Sequence, residues 1–325
     1  MPVNASWPSM CRTRIGNSSS AIRVIIETQA GPNNSINDYV VGGKTIANVI
    51  FYLYTTYNTL VSTFRFSFSP GKGIRLNHSE MGEAEATTAA ELNAGMKIPL
   101  IGLGTAAATQ NDLQEAVAIA LQVGYRHFDT SKVYGSERAL GEALNAAFQS
   151  GIVKREDVFV TTKLWNTDHD DPVSSIKNSL KDLQLEYLDL FLIHWPVKLI
   201  KEASLENLVA PKEEEFLPLD LKSTWEGMEK CVETGLTKAI GVSNFSPKKI
   251  EDLLSYARIP PAVNQVEMHP MWQQKKLREC CSKHNIHVSA WSPLGAPNTP
   301  WGTNLVMDSP VIKEIARKHG KTTAQ

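Results

Sequence analysis

The sequence predicts an α/β protein: a TIM-type (β/α)8 barrel over residues 81–325, lacking strand 8 and the final helix. Three observations predict it. Seven short apolar segments follow one another along residues 100–293, separated by helix-like stretches of about a dozen residues. These segments are continuous apolar runs, as strands buried on both faces require. Nearly every segment also ends in a residue able to do chemistry. Asp129 closes HFDT, Lys163 closes FVTTK, His194 closes LDLFLIH and Asn244 closes AIGVSN, while Gln265 sits in AVNQVEM and Trp291 in HVSAWSP. A β/α barrel opens all its strand C-termini on one face, so this spacing describes a site collected one residue per strand.

In order along the chain, LNAGMKIP (92–99) reads as a short hairpin plugging the bottom of the barrel. Strand 1 is LIGLGT, helix 1 runs from Asp112 to about Val123, and strand 2 is RHFDT. Helix 2 spans Ser136 to Gln149 and strand 3 is VFVTTKL. Asp171-Pro172 opens helix 3 over 173–184, because proline tolerates the first helical turn. Strand 4 is LDLFLIHW; a long loop, 196–218, precedes helix 4 over 220–234. Strand 5 is KAIGVSN, and Ser246-Pro247 opens helix 5. Strand 6 is AVNQVEM, helix 6 covers 273–284 and strand 7 is IHVSAWSP. A Pro- and Gly-rich loop, 294–310, leads into a last helix over 310–319.

Composition narrows the function. A chain with 42% hydrophobic and 21% charged residues is that of a soluble globular protein, and a net charge of −1 gives no electrostatic footprint for nucleic acid or an anionic membrane. The cysteines are Cys11, Cys231, Cys280 and Cys281, without a CxxC pair; reduced thiols in a cytoplasmic protein are expected, with neither a disulfide framework nor a metal site.

Residues 1–80 differ from the rest. They are Ser- and Asn-rich, and between Glu27 and Glu80 the only acid is Asp38. Such composition suits a transit peptide, and Thr45 to Phe64 is an uncharged stretch of 20 residues, the length of a membrane span. Its five Thr, three Tyr and two Asn argue against a span. The expectation is a disordered extension, with Met81 as the start of the globular protein.

Two motifs compete for the chemistry. GLGTAA (102–107) fits the G-x-G-x-x-A dinucleotide fingerprint, with Asp129 at the next strand end. A fingerprint helix should begin at the third small residue, whereas the helical pattern here begins at Asp112. DTSKVYGSERALG (129–141) is the stronger string. Taken alone, Tyr134 would be a rim hydroxyl and Asp129 a helix cap; Lys163 and His194 at the next two strand ends argue otherwise. Reduction of a carbonyl needs a proton donor beside the substrate oxygen, and a free Tyr, with a pKa of about 10, is a poor one near neutral pH. A nearby ammonium favours phenolate. Asp129 would keep Lys163 charged and placed, and neutral His194 could donate a hydrogen bond to the carbonyl oxygen. His194 has no second His or Cys at metal-ligand spacing.

With these residues in place the chain from about 92 to 325 resembles the aldo-keto reductases, through GLGT, YRHFDTSKVYGSE, TTKLW, LDLFLIHWP, WEGMEKCVETGLTKAIGVSNFS, NQVEMHP and SAWSPLG. EEEFLPLD and PPAVNQVEMHP are most similar to its plant branch, which includes codeinone, methylecgonone, chalcone-type and deoxymugineate-forming reductases of secondary metabolism. The resemblance implies reduction of a small-molecule aldehyde or ketone to an alcohol with NADPH; a monomer is the expected state. It implies a catalytic tetrad of Asp129, Tyr134, Lys163 and His194, with Tyr134 as general acid. It implies that Ser243, Asn244 and Gln265 hold the nicotinamide carboxamide, that Trp291 stacks on the ring, and that Ser292 and Leu294 lie along the pyrophosphate beneath loop 294–310. Gly104, Thr105 and Asp129 would line the ribose end; Ala106, Trp165, His194 and Trp195 would face substrate.

Three departures qualify it. Ala106 stands where many members have Trp, which should widen the pocket toward bulkier ketones. Trp291 stands where Tyr is commonest. The chain given ends in KHGKTTAQ, before the family's strand 8, its Lys-Ser…Arg helix for the 2′-phosphate and its C-terminal substrate loop. NADH therefore stays open beside NADPH. An open barrel is expected to be unstable by itself, or the frame to continue past Gln325, and a non-catalytic nucleotide binder or inactive product is the alternative function.

Overall fold

The computed structural model describes residues 11–18, 21–28, 36–41, 89–106, 110–201, 211–297, 299 and 302–325. The chain divides into two compact units, Met1–Tyr52 and Leu53–Gln325. The first contains an antiparallel meander of β1 (Cys11–Ser18), β2 (Ala21–Thr28) and β3 (Ile36–Val41). The rest of the 1–80 segment, including Thr45 to Phe64, lies outside the described residues. Among the described residues no helix is long and apolar enough to cross a membrane.

The described residues of the second unit form a seven-stranded, all-parallel sheet curled into a nearly closed barrel and wrapped by helices. Its strands are β6 (Leu103–Gly104), β7 (His127–Asp129), β8 (Phe159–Leu164), β9 (Leu188–Ile193), β12 (Thr237–Ser243), β13 (Val263–Glu267) and β14 (His287–Trp291). They pair in that order, each with its neighbour in sequence. The intervening helices are α1 (Gln110–Gln122), α2 (Glu137–Gln149), α3 (Pro172–Leu183), α4 (Leu221–Glu233), α5 (Pro247–Leu254) and α6 (Lys275–Lys283). After β14 come α7 (Leu305–Asp308) and α8 (Pro310–Lys318). Every helix expected from periodicity is present, with ends displaced by two residues or fewer. Several of the starts are set by side-chain capping. Asp171 accepts from Ser174 N ahead of Pro172, Asp220 from Ser223 N, and Ser246 from Lys249 N ahead of Pro247.

Alternation along each strand sorts side chains into two cores. On β8, Val160 and Leu164 face the helices, where they join Phe128, Leu140, Ile176, Phe191, Trp225 and Ile240. Phe159 faces the interior with Leu190, Leu192, Ala239 and Val263. By the same period Thr161 and Lys163 point inward, so the lysine is placed by the same register that buries its neighbours. Gly241 also faces the interior; a Cβ there would meet Val263 O at 2.5 Å and Leu192 Cδ2 at 2.8 Å, so only glycine fits.

The bottom of the barrel is plugged as the sequence predicts. β4 (Ala89–Glu91) and β5 (Lys97–Pro99) form an antiparallel hairpin. Leu92 and Ile98 are buried against the interior core, and Asn93 Nδ2 donates to Pro261 O at 2.9 Å. The hairpin starts three residues earlier than LNAGMKIP suggests, because Ala89 to Glu91, which carry no strand signal, find partners in Lys97 to Pro99. Within the long loop after β9, β10 (Lys198–Leu199) pairs with β11 (Phe216–Leu217); residues 202–210 lie outside the described set.

Candidate active site

The C-terminal ends of the strands converge in register. Gly104 lies opposite Asp129 across β6 and β7, and Ser243 lies opposite Gln265 across β12 and β13. After Asp129 the chain makes a 3-10 turn over Lys132–Tyr134, closed by Gly135 at φ 66°. That turn carries the Tyr134 ring back over the strand ends, which is how a residue five positions past the strand reaches the site.

Lys163 is the hub. It is 1% exposed, and its ammonium donates to Asp129 Oδ1 at 2.5 Å, Thr130 O at 3.0 Å and Tyr134 OH at 3.4 Å. A buried lysine pays heavily for its charge unless paired. Here burial pulls its pKa down, but the Asp129 carboxylate and Tyr134 more than offset it, and the net shift is upward. The ammonium is therefore locked on. Tyr134 behaves differently from the sequence expectation. Burial raises its pKa more than Lys163 lowers it, and Asp129 adds to the rise, so the phenol is held protonated.

His194 closes the other side. Its ring meets those of Tyr134 and Trp165 edge-on, at centroid distances of 5.7 and 5.1 Å. Burial, then Lys163, depresses its pKa well below 6.5, so the imidazole is neutral. Its Nδ1 shares a 3.0 Å hydrogen bond with Ser131 Oγ, which leaves Nε2 as the remaining polar atom of the ring.

The expected nicotinamide-side residues form one chain of hydrogen bonds. Ser243 Oγ donates to Gln265 O (2.7 Å); Asn244 Nδ2 donates to His194 O (3.0 Å) and Ser243 Oγ (3.1 Å); Trp291 Nε1 donates to Asn244 Oδ1 (3.0 Å). Asn244 adopts φ 63°, a left-handed conformation that Asn tolerates better than most residues. Gln265 Nε2 donates to Asp129 Oδ2 at 2.8 Å and so ties this group to the lysine hub. Thr105 lies in a buried hydroxyl cluster, 2.8 Å from Ser136 Oγ, which is in turn 3.0 Å from Thr130 Oγ1. Gly104 is exposed, and a Cβ there would meet nothing within 4 Å, so that strand end is open. After β14, Ser292 (φ 49°), Gly295 (φ 86°) and Ala296 (φ 48°) turn the chain sharply, and Thr303 N returns to Gly295 O at 2.7 Å. Leu294 sits half-buried in this turn.

Of the expected substrate-facing residues, Trp165 is buried against His194, whereas Ala106 and Trp195 are exposed. Sequence reasoning missed Ser131, whose hydroxyl fixes His194, and the Gln265–Asp129 link. Ser131 follows Asp129 by two residues, and only that proximity could have signalled it. It also missed the indole N–H of Trp291 as an anchor. For a nicotinamide, the site offers amide and hydroxyl groups beside an indole whose plane is fixed through its own N–H. This donor and acceptor set fits a carboxamide, which both donates and accepts.

Residues 100–325 match the Aldo/keto reductase family. The chain is 54% identical over 232 residues to a (1S)-1,7-diacetoxy-luvungin A aldo-keto reductase of Citrus sinensis, covering 70% of this chain and 72% of the relative. It is 49% identical over 237 residues to aldo-keto reductase family 4 member C11 of Arabidopsis thaliana (72% and 74% of the two chains). It is 50% identical over 235 residues to a D-galacturonate reductase of Fragaria ananassa (70% and 72%). The solved aldose reductase of Schistosoma japonicum superposes with a TM-score of 0.66 at 39% identity, over 73% of this chain and 76% of that one.

Proposed function

The chain belongs to the aldo/keto reductase family and is an oxidoreductase of carbonyl compounds; from that premise we propose that it reduces a ketone or aldehyde with NADPH, using Tyr134 as the proton donor. The single observation that carries this reading is Lys163, charged and buried between Asp129 and the Tyr134 hydroxyl.

Ser243, Asn244 and Gln265 would hold the carboxamide of the dinucleotide and Trp291 would stack on its ring. Bound there, the reduced nicotinamide would supply a hydride to the carbonyl carbon. The protein's own residues do the rest. The carbonyl oxygen gains negative charge as the hydride arrives, so it needs a proton and a donor already aimed at it. Tyr134 is protonated at rest because its phenol is buried. As its proton moves to the substrate, charge develops on the phenolate 3.4 Å from the Lys163 ammonium, which stabilises that state more than the resting one. Asp129 holds the ammonium, and Gln265 holds Asp129. In the tautomer in which Ser131 Oγ donates across the 3.0 Å contact to Nδ1, His194 carries its proton on Nε2 and donates a second hydrogen bond to the same oxygen. Trp165 closes one wall and excludes water. Ala106 leaves space that a larger side chain would fill, which favours ketones bulkier than simple aldehydes.

The test is carbonyl-dependent NADPH oxidation by the full chain, over a panel from small aldehydes to polycyclic ketones. The reading expects turnover in the native protein and a loss of about 10²–10⁴-fold in Tyr134→Phe, the usual worth of a general acid. Equal turnover in the two proteins would remove Tyr134 from the role. Equal rates with NADH would remove the preference for NADPH.

A further inference from the structure

Between two helices of the second unit the fold assembles a group of side chains that the sequence keeps apart. Glu251 lies on α5, Cys280 on α6, and His284 caps the C-terminus of α6 one helical turn after Cys280. Each offers one ligand atom, a carboxylate oxygen, Sγ and a ring nitrogen, and the three atoms lie within 4.8 Å of one another. The ordinary reading of such a group is coincidence on a helical surface, since residues four apart share a face and an exposed Glu is common. Two observations argue against it. The set is mixed, with sulfur, nitrogen and oxygen converging from two elements. And His284 Nε2 is shielded from solvent with no hydrogen-bond partner among the described residues, where a buried polar atom is normally satisfied.

We propose that Glu251, Cys280 and His284 bind one divalent cation of the zinc type, with water in the fourth position. Thiolate, imidazole and carboxylate are the donors zinc takes. Ligand atoms on a tetrahedral zinc stand roughly 3.5 Å apart, so side-chain rotations that draw the present cluster inward suffice. The charges also match: a thiolate and a carboxylate neutralise the ion. In its absence burial and then Glu251 hold the Cys280 thiol above its ordinary value, Lys283 opposing them. A cation would reverse that balance and release the thiol proton.

The site would fasten α5 to α6. These helices follow β12 and β13, the strands that carry Ser243 and Gln265, so the ion would brace the scaffold behind those residues. The inference does not depend on the reductase reading, and its test does not read activity. The full-length protein, stripped with chelator, is titrated with Co2+ and followed by absorbance. A thiolate-to-cobalt charge-transfer band should appear, saturate at one ion per chain and vanish on adding Zn2+. Cys280→Ser should abolish the band. Glu251→Gln and His284→Gln, with unchanged circular dichroism, should weaken Co2+ binding at least about tenfold, since loss of even an outer partner of a ligand costs about 10–100-fold. The absence of a band, or a band that survives Cys280→Ser, would overturn the proposal. So would Glu251→Gln and His284→Gln proteins that bind Co2+ like the native chain.

Discussion

Replacing Lys163 with Met tests whether the buried ammonium acts on the tyrosine or only fills space. Methionine keeps the length and apolar stem of the side chain and removes the charge. At the observed 3.4 Å between Lys163 Nζ and Tyr134 OH, attraction between an ammonium and a full phenolate is about 5 kcal/mol at an effective dielectric of about 20. With the proton half transferred at the transition state, roughly half of this is lost, or about 10²-fold in rate. Asp129 does not compensate, because its carboxylate also raises the Tyr134 pKa and would be left unopposed. The pH profile adds a second readout. Reduction needs Tyr134 protonated, so the rate falls as pH rises through its pKa. Without Lys163 that pKa climbs further; the alkaline limb should move to higher pH while the plateau drops. The assay is steady-state NADPH oxidation across pH with a saturating carbonyl, with dinucleotide affinity measured separately by fluorescence quenching. An unchanged plateau, or an alkaline limb that moves to lower pH, would refute the reasoning.

Other expectations concern residues around this hub. Ser131→Ala frees His194 Nδ1 from its 3.0 Å bond and lets the ring take either tautomer; kcat should fall several-fold with little change in dinucleotide affinity, and Ser131→Thr should restore much of it. Asp189 is buried at the opposite end of the strands, where it accepts from Arg155 (2.8 Å), Lys238 (2.9 Å) and Val160 N (3.0 Å). Because Lys238 is half exposed, its share is small, but Asp189→Ala strands the buried partners and should cost about 3 kcal/mol in urea unfolding. Burial lowers the pKa of His169 to about 4, and lowers those of His127, His194 and His287 as well. A histidine depressed in the folded state contributes stability that is complete above its unfolded pKa and is lost as pH falls through the folded one. The urea midpoint should therefore decline between pH 6.5 and about 4, and decline less in His169→Gln; equal slopes in the two proteins would exclude His169 as a contributor.

Much of this site was legible in the chain because barrel geometry turns sequence order into spatial order. Residues at successive strand ends must become neighbours, so Asp129, Lys163 and His194 could be grouped from their order along the chain alone. Tyr134 joined them because its loop is too short to carry it elsewhere. What stayed hidden depends on depth and on distant partners. The sequence supplies the sign of the lysine's effect on the phenol, but not how deeply the phenol is buried, and burial proves to be the larger influence. The link from Gln265 to Asp129 crosses 136 positions, and Ser131 meets His194 across 63; neither follows any local pattern. The trio of Glu251, Cys280 and His284 matches no metal-ligand spacing in the sequence, because two of its members share a helix face and the third arrives from the preceding helix. Conversely, helix starts at Pro172, Pro247 and Pro310 were readable to within a residue, since proline and its preceding cap act locally.

The claim that most needs testing is that hydride reaches a carbonyl carbon while Tyr134 protonates its oxygen. The direct measurement is to supply NADPH carrying deuterium at both C4 positions of the nicotinamide with a reducible ketone and to locate the label by NMR. The account predicts one deuterium on the carbinol carbon of the alcohol, formed about 10²–10⁴-fold more slowly by Tyr134→Phe. Alcohol formed without the label, or labelled at the same rate by the Tyr134→Phe protein, would contradict it.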